Sequence, residues 1–173
     1  MVFVDECCTH TSMTRLRARA PKGERAYGRV PRNRGKNTTL LASMGAEGMG
    51  PCLAVEGATT KAVFEAYVEL ALAPSLLPGR VVVLDNLGAH KGNRIRQLVE
   101  ERGCKLLFLP PYSPDFSPIE EAFSKVKTLL RTAAARTRDA LVEAIGRALE
   151  AVTAGDARGW FGHCGYPIDA QSS

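Results

Sequence analysis

The feature that most constrains this chain is a short, continuous apolar run, Val81-Val82-Val83-Leu84, which ends in Asp85. An apolar run without alternation is typical of a parallel strand that is covered on both faces of the sheet. Functional sites in open α/β sheets form at the carboxyl ends of such strands, so Asp85 is a candidate site residue. The same side chain is also compatible with a turn-capping role, because Asn86 and Gly88 follow it directly.

Hydrophobic periodicity and turn residues predict the order of the elements as strand, strand, strand, helix, strand, helix, strand, helix, helix. The predicted strands are 2–8, 38–44, 52–55, 80–84 and 105–109, with a turn over 45–50 and with 105–109 expected to be buried. The predicted helices are 60–72, 92–102, 118–134 and 137–154, the first broken by Pro74, Pro78 and Gly79 and the last stopped by Gly155. This order predicts the α/β class.

Composition bounds the class of protein further. The 173 residues, 45% of them hydrophobic, are enough for one domain spanning 1–173 that buries its own core. The sequence has no apolar stretch long enough for a transmembrane helix, and its first residues lack the pattern of a secretory signal. Its five cysteines form no C-x-x-C pair, which argues against a zinc ribbon and favours a cytoplasmic location.

Positive charge is concentrated in one segment of the chain. The net charge is +5, and residues 11–36 read as a long basic loop or arm in which nine cations are opposed only by Glu24. These cations are Arg15, Arg17, Arg19, Lys22, Arg25, Arg29, Arg32, Arg34 and Lys36. Such a block commonly contacts the phosphate backbone of nucleic acid, although a solvated loop in a basic protein has the same composition.

Two further acids occupy suggestive positions. Asp5 ends the apolar run Val2-Phe3-Val4, where it is either a turn residue or a site residue, and Glu6 alternates to the other face of that strand. Glu120 lies in Ser117-Pro118-Ile119-Glu120, which fits a helix-capping box as well as it fits a functional acid.

The helix that begins near Glu120 carries a polar stripe beside its apolar one. Glu120 is followed on this stripe by Ser124, Lys127 and Arg131, so an acid at one end could hold a metal while the cations meet phosphates. Glu121 is expected to form only an exposed pair with Lys125. Carboxylates at strand ends and on an adjacent helix are what a two-metal phosphoryl-transfer site requires, since Mg²⁺ prefers oxygen ligands.

Three short sequence words together resemble a known family. They are Val4-Asp5-Glu6, then Leu84-Asp85-Asn86 with His90-Lys91, then the stretch from Pro110 to Glu120, which reads PPYSPDFSPIE. These words resemble the catalytic (DDE) domain of bacterial insertion-sequence transposases of the mariner superfamily. Residues 86–119 separate the second acid from the third, which matches the spacing usual in that family. Phe123 stands where the family usually has Trp.

The resemblance implies a ribonuclease-H-like fold, with a mixed five-stranded sheet flanked by helices. It implies that Asp5, Asp85 and Glu120 are the catalytic residues and bind two Mg²⁺ ions, for which Mn²⁺ can substitute. The implied reaction is cleavage of transposon ends and strand transfer into target DNA. DNA contacts are then expected from the basic block and from His90, Lys91, Lys127 and Arg131, and a role of His90 in positioning its loop stays open.

The resemblance also implies partners. They are double-stranded DNA, as transposon ends and target, and a second copy of the chain, with which a homodimer forms on DNA. The family's N-terminal helix-turn-helix region is absent from this sequence, so a separate helix-turn-helix protein is a further expected partner. No membrane is expected, and the expected location is the bacterial nucleoid. Two alternatives stay open: a nuclease of the same fold without strand transfer, and an inactive truncated DNA-binding remnant.

Overall fold

Five strands form one mixed sheet in the computed structural model of the chain, which describes residues 1–32, 35–111 and 113–166. They are β1 (Val2–Thr9), β2 (Thr38–Gly45), β3 (Gly48–Glu56), β4 (Val81–Leu84) and β5 (Lys105–Phe108). The spatial order is β3-β2-β1-β4-β5. The first three strands pair antiparallel, whereas β1–β4 and β4–β5 pair parallel. This is the mixed five-stranded sheet that the sequence predicted.

Helices cover both faces of the sheet. They are α1 (Lys61–Tyr67), α2 (Ala73–Ser75), α3 (Asn93–Glu100), α4 (Pro118–Ala133), α5 (Arg138–Glu150) and α6 (Ala154–His163), with short 3₁₀ turns at Gly88–His90 and Pro114–Phe116. One apolar layer joins α4, α5 and α6 to the sheet, and the other joins α1 and α3 to its opposite face. No helix in the described part of the chain is long and apolar enough to cross a membrane.

The first helical segment runs further than predicted. Thr60 caps α1 by accepting a hydrogen bond from the Val63 amide. The chain then continues through a π-helical turn, Val68–Leu72, into α2, which contains Pro74. The prediction that Pro74 breaks the helix was therefore wrong: the widened turn admits a residue that has no N–H to donate.

Two strand predictions also need correction. Strand β2 extends to Gly45 and strand β3 begins at Gly48, so the predicted 45–50 turn shrinks to two residues. Strand β5 is not buried but lies at the sheet edge, where Lys105 and Leu107 are exposed and the residues after them are half-buried. Its apolar composition resembled that of a central strand, and only the strand order reveals the edge.

Helix α6 was missed by the sequence reading, which ended the preceding helix at Gly155. The structure places Gly155 inside α6, behind a capping box formed by Thr153 and Asp156. Asp156 also receives a hydrogen bond from Lys125 of α4 at 2.6 Å. The predicted pair of Lys125 with Glu121 is thereby replaced by a tertiary ion pair, because docking of α6 brings a better-placed carboxylate.

The basic segment 11–36 contains no helix or strand in its described residues, and most of its side chains are exposed. Its base is fixed to the body of the protein. Met13 is buried in the core, and the Arg136 guanidinium donates to the backbone carbonyls of Thr11 and Met13 at 2.9 and 3.0 Å. At the other end, Lys36 binds Glu56 at 2.6 Å. The segment is thus an arm that is anchored at both ends.

Candidate active site

The sheet register brings Asp5 and Asp85 together. Val4 pairs with Leu84 across the parallel strands β1 and β4, so the two aspartates follow at adjacent positions. Asp5 ends the apolar run but not the strand: β1 runs to Thr9, one residue beyond the predicted 2–8, and β2 pairs along it. The two aspartates therefore lie beside each other where β4 ends.

Strand alternation sets the faces of β1. Phe3 and Cys7 pack in the layer with α4, and Asp5 shares their parity. Asp5 is thereby directed to the side of the sheet on which α4 lies. Glu6 has the opposite parity and shares the face of Val4.

Glu120 is presented by the first turn of α4. Ser117 and Pro118 begin this helix, and both are buried. The Ser117 side chain forms no capping hydrogen bond, and its backbone N–H donates to the Pro114 carbonyl at 2.9 Å instead of to Glu120. The capping box that the sequence left open is thus not formed, and the exposed Glu120 carboxylate is available for another role.

The three acids share one cavity of about 670 Å³. It is lined by Asp5, Glu6, Cys8, Asp85, Asn86, Leu87, Leu109, Pro110, Pro111, Ser113, Pro114, Ser117 and Glu120. The lining combines four acidic side chains with residues of the proline-rich loop after β5. The cavity therefore lies at the carboxyl end of β4, where sites in α/β sheets are expected.

The electrostatics of the cavity differ between its two aspartates. Burial raises the pKa of Asp5 to about 7, and the nearby carboxylates of Glu120 and Asp85 act in the same direction against a hydrogen bond from the Glu6 amide. Burial also acts to raise the pKa of Asp85. Hydrogen bonds from His90 and from the Leu87 amide outweigh that effect and hold it below its usual range.

Each aspartate has one oxygen held by the protein. Oδ1 of Asp5 accepts from the Glu6 amide at 2.7 Å, and Oδ1 of Asp85 accepts from the Leu87 amide at 3.1 Å and from the His90 ring. Within the described residues, no donor reaches either Oδ2. An oriented carboxylate with a free oxygen is suited to bind a hard cation such as Mg²⁺.

The described residues include no three His, Cys, Asp or Glu side chains grouped closely enough to hold a metal ion as they stand. The carboxylates of Asp85 and Glu120 both disfavour ionisation of Asp5. Like charges that share a partly buried cavity repel each other, and a divalent cation is the natural means of bringing them together. The donor set of Asp5, Asp85 and Glu120 is all oxygen and fits Mg²⁺ or Mn²⁺.

His90 does not take the DNA-contacting position predicted for it. Its side chain is fully buried, stacked on Phe64 with ring centroids 4.1 Å apart, and its Nδ1 contacts Oδ1 of Asp85. A residue with no exposed surface cannot meet DNA in this fold, so that prediction is corrected. Glu6, rated a poor candidate because it faces away from Asp5, also lines the cavity and reaches His90. The sequence carried no signal for this contact, since it depends on loop closure.

The remaining predicted DNA contacts lie on the surface to different degrees. Lys91 is exposed, and Lys127 and Arg131 are half-buried along α4. In the arm, the predicted cations that the structure describes are all exposed, and Lys36 is in addition paired with Glu56. Arg34 lies outside the described residues, as does Tyr112 of the proline-rich loop.

Comparison with known proteins identifies the class. Residues 1–142 match the family model described as DDE superfamily endonuclease, so the chain belongs to that family. The match includes Asp5, Asp85 and Glu120. Comparison with curated protein sequences gave no match.

Solved structures share the fold. The chain is similar to the Mos1 strand transfer complex (TM-score 0.71, 18% identity over 94% of this chain and 51% of that one). It is similar to the Mos1 mariner paired end complex with Mn, with a TM-score of 0.71 and 19% identity over 96% of this chain and 52% of that one. It also resembles the catalytic domain of Mos1 mariner transposase, with a TM-score of 0.64 and 14% identity over 94% of this chain and 76% of that one. The chain spans about half the length of the complexed Mos1 chains, and the likeness confirms the ribonuclease-H-like fold.

Proposed function

We propose that this chain is the catalytic domain of a DNA transposase, which cleaves transposon ends and transfers the cut strand into target DNA. The observation that carries the proposal is the convergence of Asp5, Asp85 and Glu120 on one cavity, from β1, the end of β4 and the start of α4. Membership of the DDE endonuclease family and the shared fold support it.

In this proposal Asp5, Asp85 and Glu120 bind two Mg²⁺ ions, for which Mn²⁺ can substitute. Bound ions of this kind lower the barrier of phosphoryl transfer by charge stabilisation and by activating the attacking oxygen. The chain's own residues orient the carboxylates: the Glu6 amide holds Asp5, and the Leu87 amide and His90 hold Asp85. The proline-rich loop lines part of the cavity, and in this proposal it contacts the DNA strand that enters there.

The basic arm supplies phosphate contacts in the same proposal, together with Lys91, Lys127 and Arg131. Exposed arginines on a segment without regular structure can follow a DNA backbone without reading its sequence. We expect binding of the isolated chain to DNA to be independent of sequence. Its affinity should fall with salt at a slope near −0.9 per phosphate contacted, and selective binding to one end sequence would contradict this assignment.

The assembly on DNA is the third part of the proposal. Two copies of the chain act as a homodimer on paired transposon ends, and the likeness of the chain to Mos1 in paired end and strand transfer complexes supports this part. Recognition of a particular end sequence is assigned to a helix-turn-helix protein acting with this chain. The place of action is then the bacterial nucleoid.

A strand-transfer assay tests the proposed reaction. Pre-cut double-stranded ends are incubated with the chain and a supercoiled plasmid in Mg²⁺, in Mn²⁺, and with a chelator. We expect metal-dependent joining of the ends to the plasmid, and none with the chelator. Nicking without joining would favour a nuclease of the same fold, whereas DNA binding without nicking in Mn²⁺ would favour an inactive remnant.

A further inference from the structure

His90 occupies an unusual position for a polar residue. It has no exposed surface, and its ring is stacked on Phe64, a member of the apolar layer formed with α1 and α3, at an interplanar angle of 29°. A residue that served packing alone in such a layer would be expected to be apolar, because burying an imidazole requires hydrogen-bond partners for its two nitrogens.

One ring nitrogen is directed at the candidate site. Nδ1 of His90 contacts Oδ1 of Asp85, and since a carboxylate accepts, the ring donates from this nitrogen. The loop closes behind this contact, because the His90 amide donates to the Leu87 carbonyl at 3.1 Å and the Leu87 amide donates to Oδ1 at 3.1 Å. Two donors thus fix one oxygen of Asp85.

The other ring nitrogen faces Glu6. Nε2 lies 3.9 Å from Oε2 of Glu6, and both atoms are buried with no hydrogen-bond partner within the described residues. Glu6 belongs to β1 directly after Asp5, so the ring spans from the first acid's strand to the second acid. The imidazole therefore lies between two carboxylates, that of Asp85 at Nδ1 and that of Glu6 near Nε2.

We infer that His90 is a positioning residue for Asp85: held between Phe64 and Glu6, it fixes Oδ1 of Asp85 and so presents the carboxylate to the cavity in one orientation. The inference rests on the proposed function, in which Asp85 binds a metal ion. Residues that orient a metal ligand by hydrogen bonding typically change metal affinity about 10–100-fold when they are removed.

Metal binding without DNA or catalysis tests this role. Mn²⁺ affinity is measured by electron paramagnetic resonance for the wild type, His90→Phe and His90→Asn. Phe keeps the stacked ring but removes the donor, so we expect at least about a tenfold loss of affinity. Asn places an amide N–H near the position of Nδ1, so we expect affinity close to that of the wild type even if the protein is less stable.

A matched control separates positioning from stability. Tyr67→Phe removes another buried hydrogen bond, that from the Tyr67 hydroxyl to the Pro51 carbonyl at 2.8 Å, without changing the core volume. We expect it to lower the melting temperature and leave Mn²⁺ affinity unchanged. Wild-type affinity in His90→Phe, or an equal loss in His90→Phe and His90→Asn, would overturn the inference.

A measurement on the unmodified chain covers the case in which His90→Phe does not fold. The Nδ1–H proton of His90 is observed by ¹⁵N-resolved NMR during a Mg²⁺ titration. We expect a slowly exchanging signal that moves as metal binds, while the signals of His10 and His163 stay in place. A rapidly exchanging or unmoved His90 signal at saturating Mg²⁺ would overturn the inference.

Asp85→Asn distinguishes failure of the positioning role of His90 from failure of the proposed metal site. If the wild type binds metal and Asp85→Asn does not, but His90→Phe binds as the wild type does, only the positioning role falls. If the wild type itself binds neither Mn²⁺ nor Mg²⁺, both the positioning role and the metal site of the proposed function are contradicted.

Discussion

At the scale of single residues, the candidate site is defined by carboxylates that share a cavity and by the groups that hold them. Burial and two neighbouring acids oppose ionisation of Asp5, whereas donors from the loop after β4 favour ionisation of Asp85. Glu120, at the start of α4, adds the third charge without a capping bond to stabilise it. Removing the charge of Asp5 should therefore raise stability while it lowers activity.

Asp5 gives a prediction in pH. Its pKa is raised from 3.8 to about 7 in the folded chain, so its ionisation destabilises the fold increasingly between these values and fully above pH 7. Asp5→Asn, which is neutral at every pH, should melt higher than the wild type at pH 8 without metal. The gain should shrink as the pH falls toward 4. Melting curves from pH 4 to 8 measure it, and a gain that does not change with pH would contradict the assignment.

Glu120 is tested against its sequence neighbour. Glu120→Gln should abolish metal-dependent strand cleavage while the melting temperature stays level or rises, because the charge is lost and no capping bond depends on it. Glu121→Gln is the matched control. Glu121 is exposed on the same helical turn, and Lys125 pairs with Asp156 instead. An active Glu120→Gln protein, or an inactive Glu121→Gln one, would show that the wrong acid has been chosen.

At the scale of elements, the site depends on how α4 is held against the sheet. Phe123 and Val126 of α4 are fully buried, and α5 and α6 pack on the same layer. The ion pair of Lys125 with Asp156 ties α6 to α4 at 2.6 Å. Because Glu120 is carried by α4, the terminal helix contributes to the placement of the third acid although it contributes no residue to the cavity.

Asp156→Asn tests this tie. The Lys125 ammonium, with the donors of Thr153, holds the pKa of Asp156 at about 2, below its ordinary 3.8. The stabilisation is therefore present above pH 4 and is lost as the pH falls toward 2. We expect the variant to melt lower than the wild type at pH 7, with the difference closing near pH 2. Asp139→Asn in the first turn of α5 is the control, since no described residue pairs with it; an equal loss there would point to a general helix-terminus effect.

Local patterns predicted much of this architecture. The apolar run before Asp85 and the start of α1 near Thr60 were readable from the sequence because each is set by neighbouring residues. The strand order was supplied by the family resemblance, and it brings Asp5 beside Asp85.

The features that were missed are tertiary ones. The π turn that admits Pro74 and the partner exchange of Lys125 depend on packing between elements that are distant in sequence. Burial of His90 between Phe64 and Glu6 depends on closure of the loop after β4. No local pattern encodes these contacts, which alter the predicted roles of Pro74, Lys125 and His90.

At the scale of the whole molecule, one apolar layer packs on each face of the mixed sheet, and the cavity opens at the carboxyl end of β4. The anchored basic arm leaves the sheet between β1 and β2, directly after the strand that carries Asp5. The chain therefore combines a surface suited to phosphates with a cavity suited to metal ions. The central claim is that this cavity performs metal-dependent chemistry on DNA.

The most direct test of that claim is strand cleavage by Asp85→Asn, measured in Mn²⁺ beside a thermal melt. The amide is nearly the size of the carboxylate, so the variant should fold and bind DNA as the wild type does. Losing an anionic ligand should nevertheless remove cleavage, by at least about a hundredfold if metal binding is the step affected. A folded Asp85→Asn protein that cleaves DNA at the wild-type rate would contradict the account.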